Sequence, residues 1–361
     1  MQIIHIDNSN IKGSDIGGVV SYIRDIVTDN TLVFKFVGSG DPLFDGFIQV
    51  TKQTQHNLIF LVKLFLIQFK LPDNKETIYH IHEAYMRLPF LFFRKSKFIL
   101  TFHGHKHDSI KIRKNCISYF LYEFLTKRLI NKFDGFISNS DEIYNFYAER
   151  YNITKGKQIS IPVCVDLNIF KKANSNMLRK EKGVLKDEKI ILSVGRIAYE
   201  KNLDLLLESF ELCYTKYYNN NYKLLIGGEG FELETIKYKA EKLQSIIHIR
   251  FLGKLSISEV VEYMSIADIF TITSFREGGP IVLKEALSCN LKVVSVPVGD
   301  VPTVLPYFKG SILSSYDPDE FAFAMIEALS FGDVDYSNER KQFSKEFFQK
   351  DINHFYTSIL G

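Results

Sequence analysis

His103, Arg196, Lys201, Glu277 and Glu285 are the residues whose type and spacing point to chemistry. Glu277 and Glu285 bracket the turn Gly278-Gly279-Pro280-Ile281. The apolar run from Ala267 to Thr273 before it reads as a buried strand. After it, Ile281, Leu283, Ala286 and Leu287 are spaced as one face of a helix. A strand, a glycine turn and a helix start together hold anions, because the first N–H groups of a helix are unpaired and carry the positive end of its dipole. Eight residues of helical rise span about 12 Å, close to the distance from sugar to ribose in a nucleotide-diphosphate sugar. One carboxylate at each end can take hydroxyls while the helix start faces phosphates. Arg196 and Lys201 follow the apolar run Lys189–Val194 in the pattern Gly-Arg-x4-Lys. A guanidinium fork and an ammonium point charge at a strand's carboxyl end suit a diphosphate. His103 and Gly104 close the run Lys97–Phe102, at the strand end where α/β sheets bind ligands. An imidazole there can donate to a developing anion. Gly17 and Gly18 precede a further helix pattern, where backbone can approach a ligand closely. His80, His82, His105 and His107 read as structural.

Glu-x7-Glu preceded by Gly-Arg-x4-Lys resembles the signature of retaining glycosyltransferases of the GT-B fold, the glycosyl transferases group 1 family. The resemblance covers most of the chain and is strongest from Glu188 to Leu305. It implies two doubly wound Rossmann-like domains facing across a cleft. It implies a nucleotide-diphosphate sugar as donor, with Arg196 and Lys201 on the diphosphate, Glu277 on sugar hydroxyls and Glu285 on the ribose. Gly278, Gly279, Pro280 and Ile281 would form the helix start that meets the phosphates. His103 would reach the donor from the first domain, and Gly17 and Gly18 would line the cleft near the donor phosphates and the acceptor. The implied acceptor is a glycan or a lipid-linked oligosaccharide, in bacterial surface polysaccharide synthesis. No Asp-x-Asp metal motif is apparent, and neither metal nor cofactor is predicted. The chain departs from the family at Val163-Cys164, where relatives have Asn-Gly, and at Asp300 and Thr303, to which no role is carried. A sugar-nucleotide epimerase would use the same fold with different catalysis. A catalytically inactive partner subunit would bind nucleotide and transfer nothing.

Alternating strand and helix patterns in both halves predict the elements that position these residues. Residues 1–170 read as the first domain, 171–188 as a polar linker, 189–337 as the donor domain, and 338–361 as a last helix crossing back to the first domain. Asn57 to Phe69 reads as a helix buried on most sides.

A chain of 361 residues is long enough for two ordinary domains. Met1–Ile6 carries no basic region or long apolar core and reads as a first strand, not a signal peptide. Four scattered cysteines lack metal or redox spacing and fit a reduced cytosol. Residues 1–170 carry 21 Lys and Arg against 16 Asp and Glu, so the first half is basic although the whole chain is only +3. Its Lys106, Lys111, Arg113, Lys114, Lys127, Arg128 and Lys132 are interleaved with aromatics and suggest peripheral contact with an anionic membrane. So small an excess, with no recognition motif, argues against nucleic acid as a partner.

Overall fold

In the computed structural model, residues 1–10, 26, 33–39, 47–51, 57–104, 116–217 and 221–361 are described. The chain divides into two compact units, Met1–Val163 with Lys345–Gly361, and Cys164–Ser344.

The first unit has β1 (Gln2–Asn10), β2 (Val33–Ser39), β3 (Phe47–Thr51), β4 (Thr77–Ile81), β5 (Lys97–Phe102), β6 (Gly135–Ser138) and β7 (Lys157–Ser160). They pair in the order β3-β2-β1-β4-β5-β6-β7, all parallel. The central strands are buried throughout, as in β4, which explains their near-continuous apolar runs. Helices α1 (Asn57–Ile67), α2 (Cys116–Leu129) and α3 (Asp141–Tyr151) lie between strands in the chain. Ser140 caps α3 by accepting from the Ile143 N–H, and Asn152 ends the helix in the left-handed conformation.

Helix α1 departs from its expected burial. Phe60 and Leu64 are buried, but Leu58, Ile59, Val62, Phe65, Leu66 and, just beyond the helix, Phe69 are exposed. A helix that is apolar all round needs only one face for its sheet, and composition does not say what covers the other.

The second unit has β8 (Lys189–Val194), β9 (Tyr222–Gly227), β10 (Ile249–Gly253), β11 (Ile269–Ile272), β12 (Lys292–Ser295) and β13 (Ile312–Leu313). Their order is β10-β9-β8-β11-β12-β13, again parallel. Its helices are α4 (Ser175–Glu181), α5 (Leu203–Thr215), α6 (Leu233–Ala240), α7 (Ile257–Ile266), α8 (Ile281–Ser288), α9 (Val301–Val304) and α10 (Pro318–Ser330). The chain then returns to the first unit as α11 (Lys345–Leu360).

The segment expected as a linker is part of the second unit. So are residues 164–170, expected in the first domain: Val165 and Phe170 lie in the second unit's core. Helix α4 packs on α7, where Arg179 donates to the Ile266 carbonyl at 2.7 Å and Lys182 pairs with Glu262 at 2.8 Å. An arginine on the last carbonyls of a neighbouring helix anchors α4 without any apolar stripe, so the sequence pattern shows only polarity.

Both sheets reverse their strand order at one place, between β1 and β4 in the first and between β8 and β11 in the second. Loops leaving the two strands there turn to opposite faces and leave a crevice at the carboxyl ends.

Candidate functional site

The second crevice collects most of the residues singled out by sequence. Gly195–Asn202 follows β8, and Thr273–Pro280 follows β11. The two loops are tied together. The Thr273 hydroxyl donates to the Lys201 carbonyl at 2.9 Å, and the Phe275 N–H donates to the Glu200 carbonyl at 2.9 Å. Together they line an open pocket that includes Arg196, Lys201, Ser274 and Glu277.

Each cation rests on a carboxylate. Lys201 Nζ donates to Glu277 Oε1, and the Ser274 hydroxyl donates to the same oxygen at 2.8 Å. Arg196 is exposed and pairs with Glu200, four residues on. An exposed pair of this kind contributes about 0–1 kcal/mol, so Arg196 is easily drawn to a stronger anion. The Lys201–Glu277 pair is better shielded, with side chains 24% and 16% exposed.

Helix α8 begins at Ile281, with Pro280 as its N-cap and no side-chain hydrogen bond at that cap. This corrects the spacing expected from sequence. Residues 277–280 are loop, so Glu285 lies one turn into the helix rather than two, and the rise of eight helical residues does not apply. Burial pushes the Glu285 carboxyl up to about 7.

Other contacts were not anticipated. Lys284 is fully buried in α8 and pairs with buried Asp300 in the loop after β12. Its Nζ also lies 3.5 Å from the Pro280 carbonyl. Beside Asp300, Gly299 sits so close to the donor loop that an added Cβ would lie 3.1 Å from the Gly279 nitrogen. A lysine in an amphipathic helix reads as solvated, and only Asp300, sixteen residues on, hints otherwise.

The Arg196 loop has a backbone clamp. Its Gly195 and Ile197 N–H groups donate to the Gly227 and Glu229 carbonyls at 3.0 and 2.8 Å. A Cβ on Gly228 would lie 1.8 Å from the Gly195 oxygen, and one on Gly230 would lie 1.9 Å from the Ile197 oxygen. The Gly-rich turn after β9 therefore positions Arg196. The Asp-x-Asp pairs Asp317-Pro318-Asp319 and Asp333-Val334-Asp335 were overlooked by the metal-motif reading. Asp317 caps α10, and Asp335 accepts from Ser337.

In the first unit, His103 follows β5 and is half-buried. With His82, Tyr122 and Tyr147 it lines a separate pocket at the ends of β4 and β5. Gly17 and Gly18, with His105 and His107, lie outside the described residues.

Residues 174–348 match the model for the family described as glycosyl transferases group 1. The second unit of this chain belongs to that family. The group 1 match spans the Arg196 and Glu277 loops and both members of the Lys284–Asp300 pair. The chain is 26% identical over 255 residues to an alpha-monoglucosyldiacylglycerol synthase of Streptococcus pneumoniae, covering 66% of this chain and 55% of that protein. It thus spans about half the length of the curated relatives it matches. A sucrose-phosphate synthase structure from Thermosynechococcus elongatus aligns with TM-score 0.76 and 17% identity, covering 99% of this chain and 98% of that one. The Anabaena HepE protein, solved with UDP and glucose, aligns with TM-score 0.73 and 16% identity over 99% of this chain and 100% of its own. At these identities the likeness is one of fold. Two Rossmann-like units with parallel sheets are the GT-B fold class.

Proposed function

We propose that this chain is a retaining, metal-independent glycosyltransferase that takes a nucleotide-diphosphate sugar as donor. The observation that carries the reading is the meeting of Arg196, Lys201, Glu277 and the α8 start on one crevice, at the strand reversal of the second sheet. Glycosyl transfer leaves a nucleoside diphosphate whose charge grows as the anomeric bond breaks. Groups already aimed at that charge lower the barrier, because they need no reorganisation at the moment of reaction. Arg196 and Lys201 supply fixed charge, and the N–H groups of Gly278, Gly279, Ile281 and Val282 supply dipoles. As the diphosphate binds, it draws Lys201 from Glu277 and Arg196 from Glu200. Glu277 is then released to accept from sugar hydroxyls, and Glu285 accepts from the ribose. The departing phosphate oxygen takes the acceptor's proton on the same face, which retains configuration. His103 donates to the donor sugar or its phosphate.

The test is thermal unfolding with UDP, GDP, ADP, CMP and their common sugar conjugates. A ligand that binds only the folded chain raises its melting temperature. One nucleotide diphosphate should stabilise the wild type and not Arg196→Ala or Glu285→Ala. No shift with any of them, confirmed by calorimetric titration, would overturn the donor site. An inactive partner subunit would show the shift and no transfer to any acceptor.

The acceptor is assigned to the lipid-linked class, with the first unit resting on an anionic bilayer at the cytoplasmic face, in bacterial surface polysaccharide synthesis. Helix α1 presents five exposed apolar side chains with Phe69 just beyond it, and α2 presents Phe120, Leu121 and Phe124. Both helices pack on the turn Ala84–Phe90, which is followed by exposed Leu91 and Phe92. Exposed Lys70, Arg94, Lys95, Lys127, Arg128 and Lys132 accompany these groups. Apolar groups with basic neighbours fit a surface of negatively charged headgroups. No helix among the described residues is long and apolar enough to cross a membrane. The lipid-acceptor name of the pneumococcal relative supports the same class. Flotation with phosphatidylglycerol vesicles should carry the wild type and not a Leu66→Asp, Phe69→Asp variant. Equal recovery of both in the unbound fraction would remove the membrane part.

A further inference from the structure

The first unit holds a row of stacked histidines. His5 on β1 and His80 on β4 are paired in register, and His82 and His103 follow two residues beyond His80 and Thr101. Residues two apart in a strand share a face. Helix α11 covers that face: Tyr356 bonds His80, and a Cβ on Gly135 would meet Ile359 and Phe355. Ring centroids are 4.6 Å apart for His5–His80 and His80–His82, and 5.0 Å apart for His82–His103.

The ligand nitrogens of His5, His80 and His82 lie within 4.8 Å of one another, which invites a metal. The geometry opposes it. His80 Nδ1 bonds the Tyr356 hydroxyl and Nε2 bonds the Thr101 hydroxyl, so both its nitrogens are engaged. His5 Nδ1 and His82 Nε2 face each other at 3.3 Å from nearly parallel rings, so these two nitrogens meet one another rather than a common centre.

What the row does contain is a chain of ring-to-ring hydrogen bonds. His5 Nδ1 lies 3.3 Å from His82 Nε2, and His82 Nδ1 lies 2.8 Å from His103 Nε2. We propose that His82 is a positioning residue that fixes which nitrogen of His103 carries the proton, through an ordered chain of imidazoles running back to His5. A neutral imidazole has one N–H and one acceptor nitrogen. His82 is bonded at both nitrogens, so it donates at one end and accepts at the other. Only two arrangements satisfy both bonds. In one, His103 Nε2–H donates to His82, which donates to His5, and His103 Nδ1 is an acceptor. In the other, His5 donates to His82, which donates to His103 Nε2, and His103 Nδ1 carries the hydrogen. In the second, His103 Nδ1 is a donor. A donor is what sugar hydroxyl oxygens and phosphate oxygens require of it. Burial pushes the His5 ring down to about 3 and holds His80 well below its ordinary value, so these two rings stay neutral at neutral pH.

The use of this tautomer for the donor rests on the functional reading above; its control by His82 does not. The test is nitrogen NMR of the full chain labelled with 15N-histidine and free of ligand, at about pH 8, above the ordinary imidazole value of about 6.5. The wild type should show one dominant His103 tautomer, with Nδ1 protonated. His82→Leu should move the tautomer ratio about fivefold or more, the size of one net hydrogen bond. His82→Gln, whose amide can donate to His103, should restore the wild-type ratio. His5→Leu should shift the ratio through the His5–His82 bond. If His82→Leu does not fold, His82→Gln and His5→Leu decide the matter alone. A His103 ratio unchanged in His5→Leu and in whichever His82 variants fold would overturn the proposal, and a wild-type His103 protonated on Nε2 would overturn its use as a donor to the ligand. Loss of nucleotide binding with the tautomer shift intact would count against the donor reading only.

Discussion

Lys284→Met should be among the most damaging substitutions that touch no ligand. The Lys284 and Asp300 side chains are 0% and 3% exposed, with Nζ 2.5 Å from Oδ2. Methionine keeps much of the aliphatic stem and removes the cation. Asp300 would then remain as a carboxylate in a dry site, with Oδ1 already lacking a hydrogen-bond partner. Leaving one member of a buried pair alone costs about 3–5 kcal/mol. Against a usual total of about 5–15 kcal/mol, that is a large share. At about 2–4 °C per kcal/mol for a unit of this size, the melting temperature should fall by about 6–20 °C. The chain has no tryptophan, so unfolding is best followed by far-UV circular dichroism. The companion measurement is a double-mutant cycle with Asp300→Leu. Replacing both charges by apolar groups is often neutral or stabilising, so the double variant should recover most of the loss. Nucleotide binding should not recover with it. Asp300 adjoins Gly299, whose backbone abuts the Gly279 loop, and Lys284 reaches the Pro280 carbonyl at the helix start. A single-variant loss under about 1 kcal/mol, or a double variant as unstable as the two singles added together, would refute this account.

Gly230→Ala should cost about 1–3 kcal/mol as an overpacked contact, and more in nucleotide affinity than in stability, because the obstructed atom is backbone of the Arg196 loop. Calorimetric titration with the nucleotide found by thermal shift checks it; unchanged affinity would separate Arg196 from the glycine turn. Glu285 has its carboxyl at about 7 in the folded chain against an ordinary 4.5. The folded state therefore holds that proton more tightly than the unfolded state, and this contribution to stability is full below about pH 4.5 and lost as the pH rises to about 7. Glu285→Gln should gain up to about 3 kcal/mol at pH 8 relative to pH 4.5, read by urea unfolding at both values, while weakening nucleotide binding. Tyr356→Phe removes the hydroxyl bonded to buried His80 at 2.7 Å and should cost about 1–3 kcal/mol. An unchanged urea midpoint would show that the Tyr356–His80 bond does not help to hold α11.

How far the sequence could be read differs from element to element for physical reasons. The parallel strands and the loops after β8 and β11 were legible because buried strands are apolar on both faces and glycine-bearing turns interrupt them. Arg196, Lys201 and Glu277 were legible as a set because charges just beyond such strands stand out. Their pairing with Glu200 and Glu277 was not, since loops of similar sequence can fold back in many ways. The clamp by Gly228 and Gly230 depends on a contact between strands β8 and β9, some thirty residues apart in the chain, and no local pattern encodes it. Helix α1 misled because apolar periodicity reports what can be buried and not what is. Helix α4 misled for the opposite reason, since its attachment is by hydrogen bonds from arginine and lysine.

The return of residues 345–361 to the first unit has a consequence for how the chain is made. The second unit is one continuous stretch, complete once Ser344 has left the ribosome. The first unit is interrupted by it, and the sheet face carrying His80 and Gly135 gets its cover only when α11 emerges. The earlier-translated unit is therefore the later one to finish folding. A nascent chain stalled before residue 345 would show a protease-resistant 164–344 fragment beside a first unit still open to cleavage and to capture by chaperones.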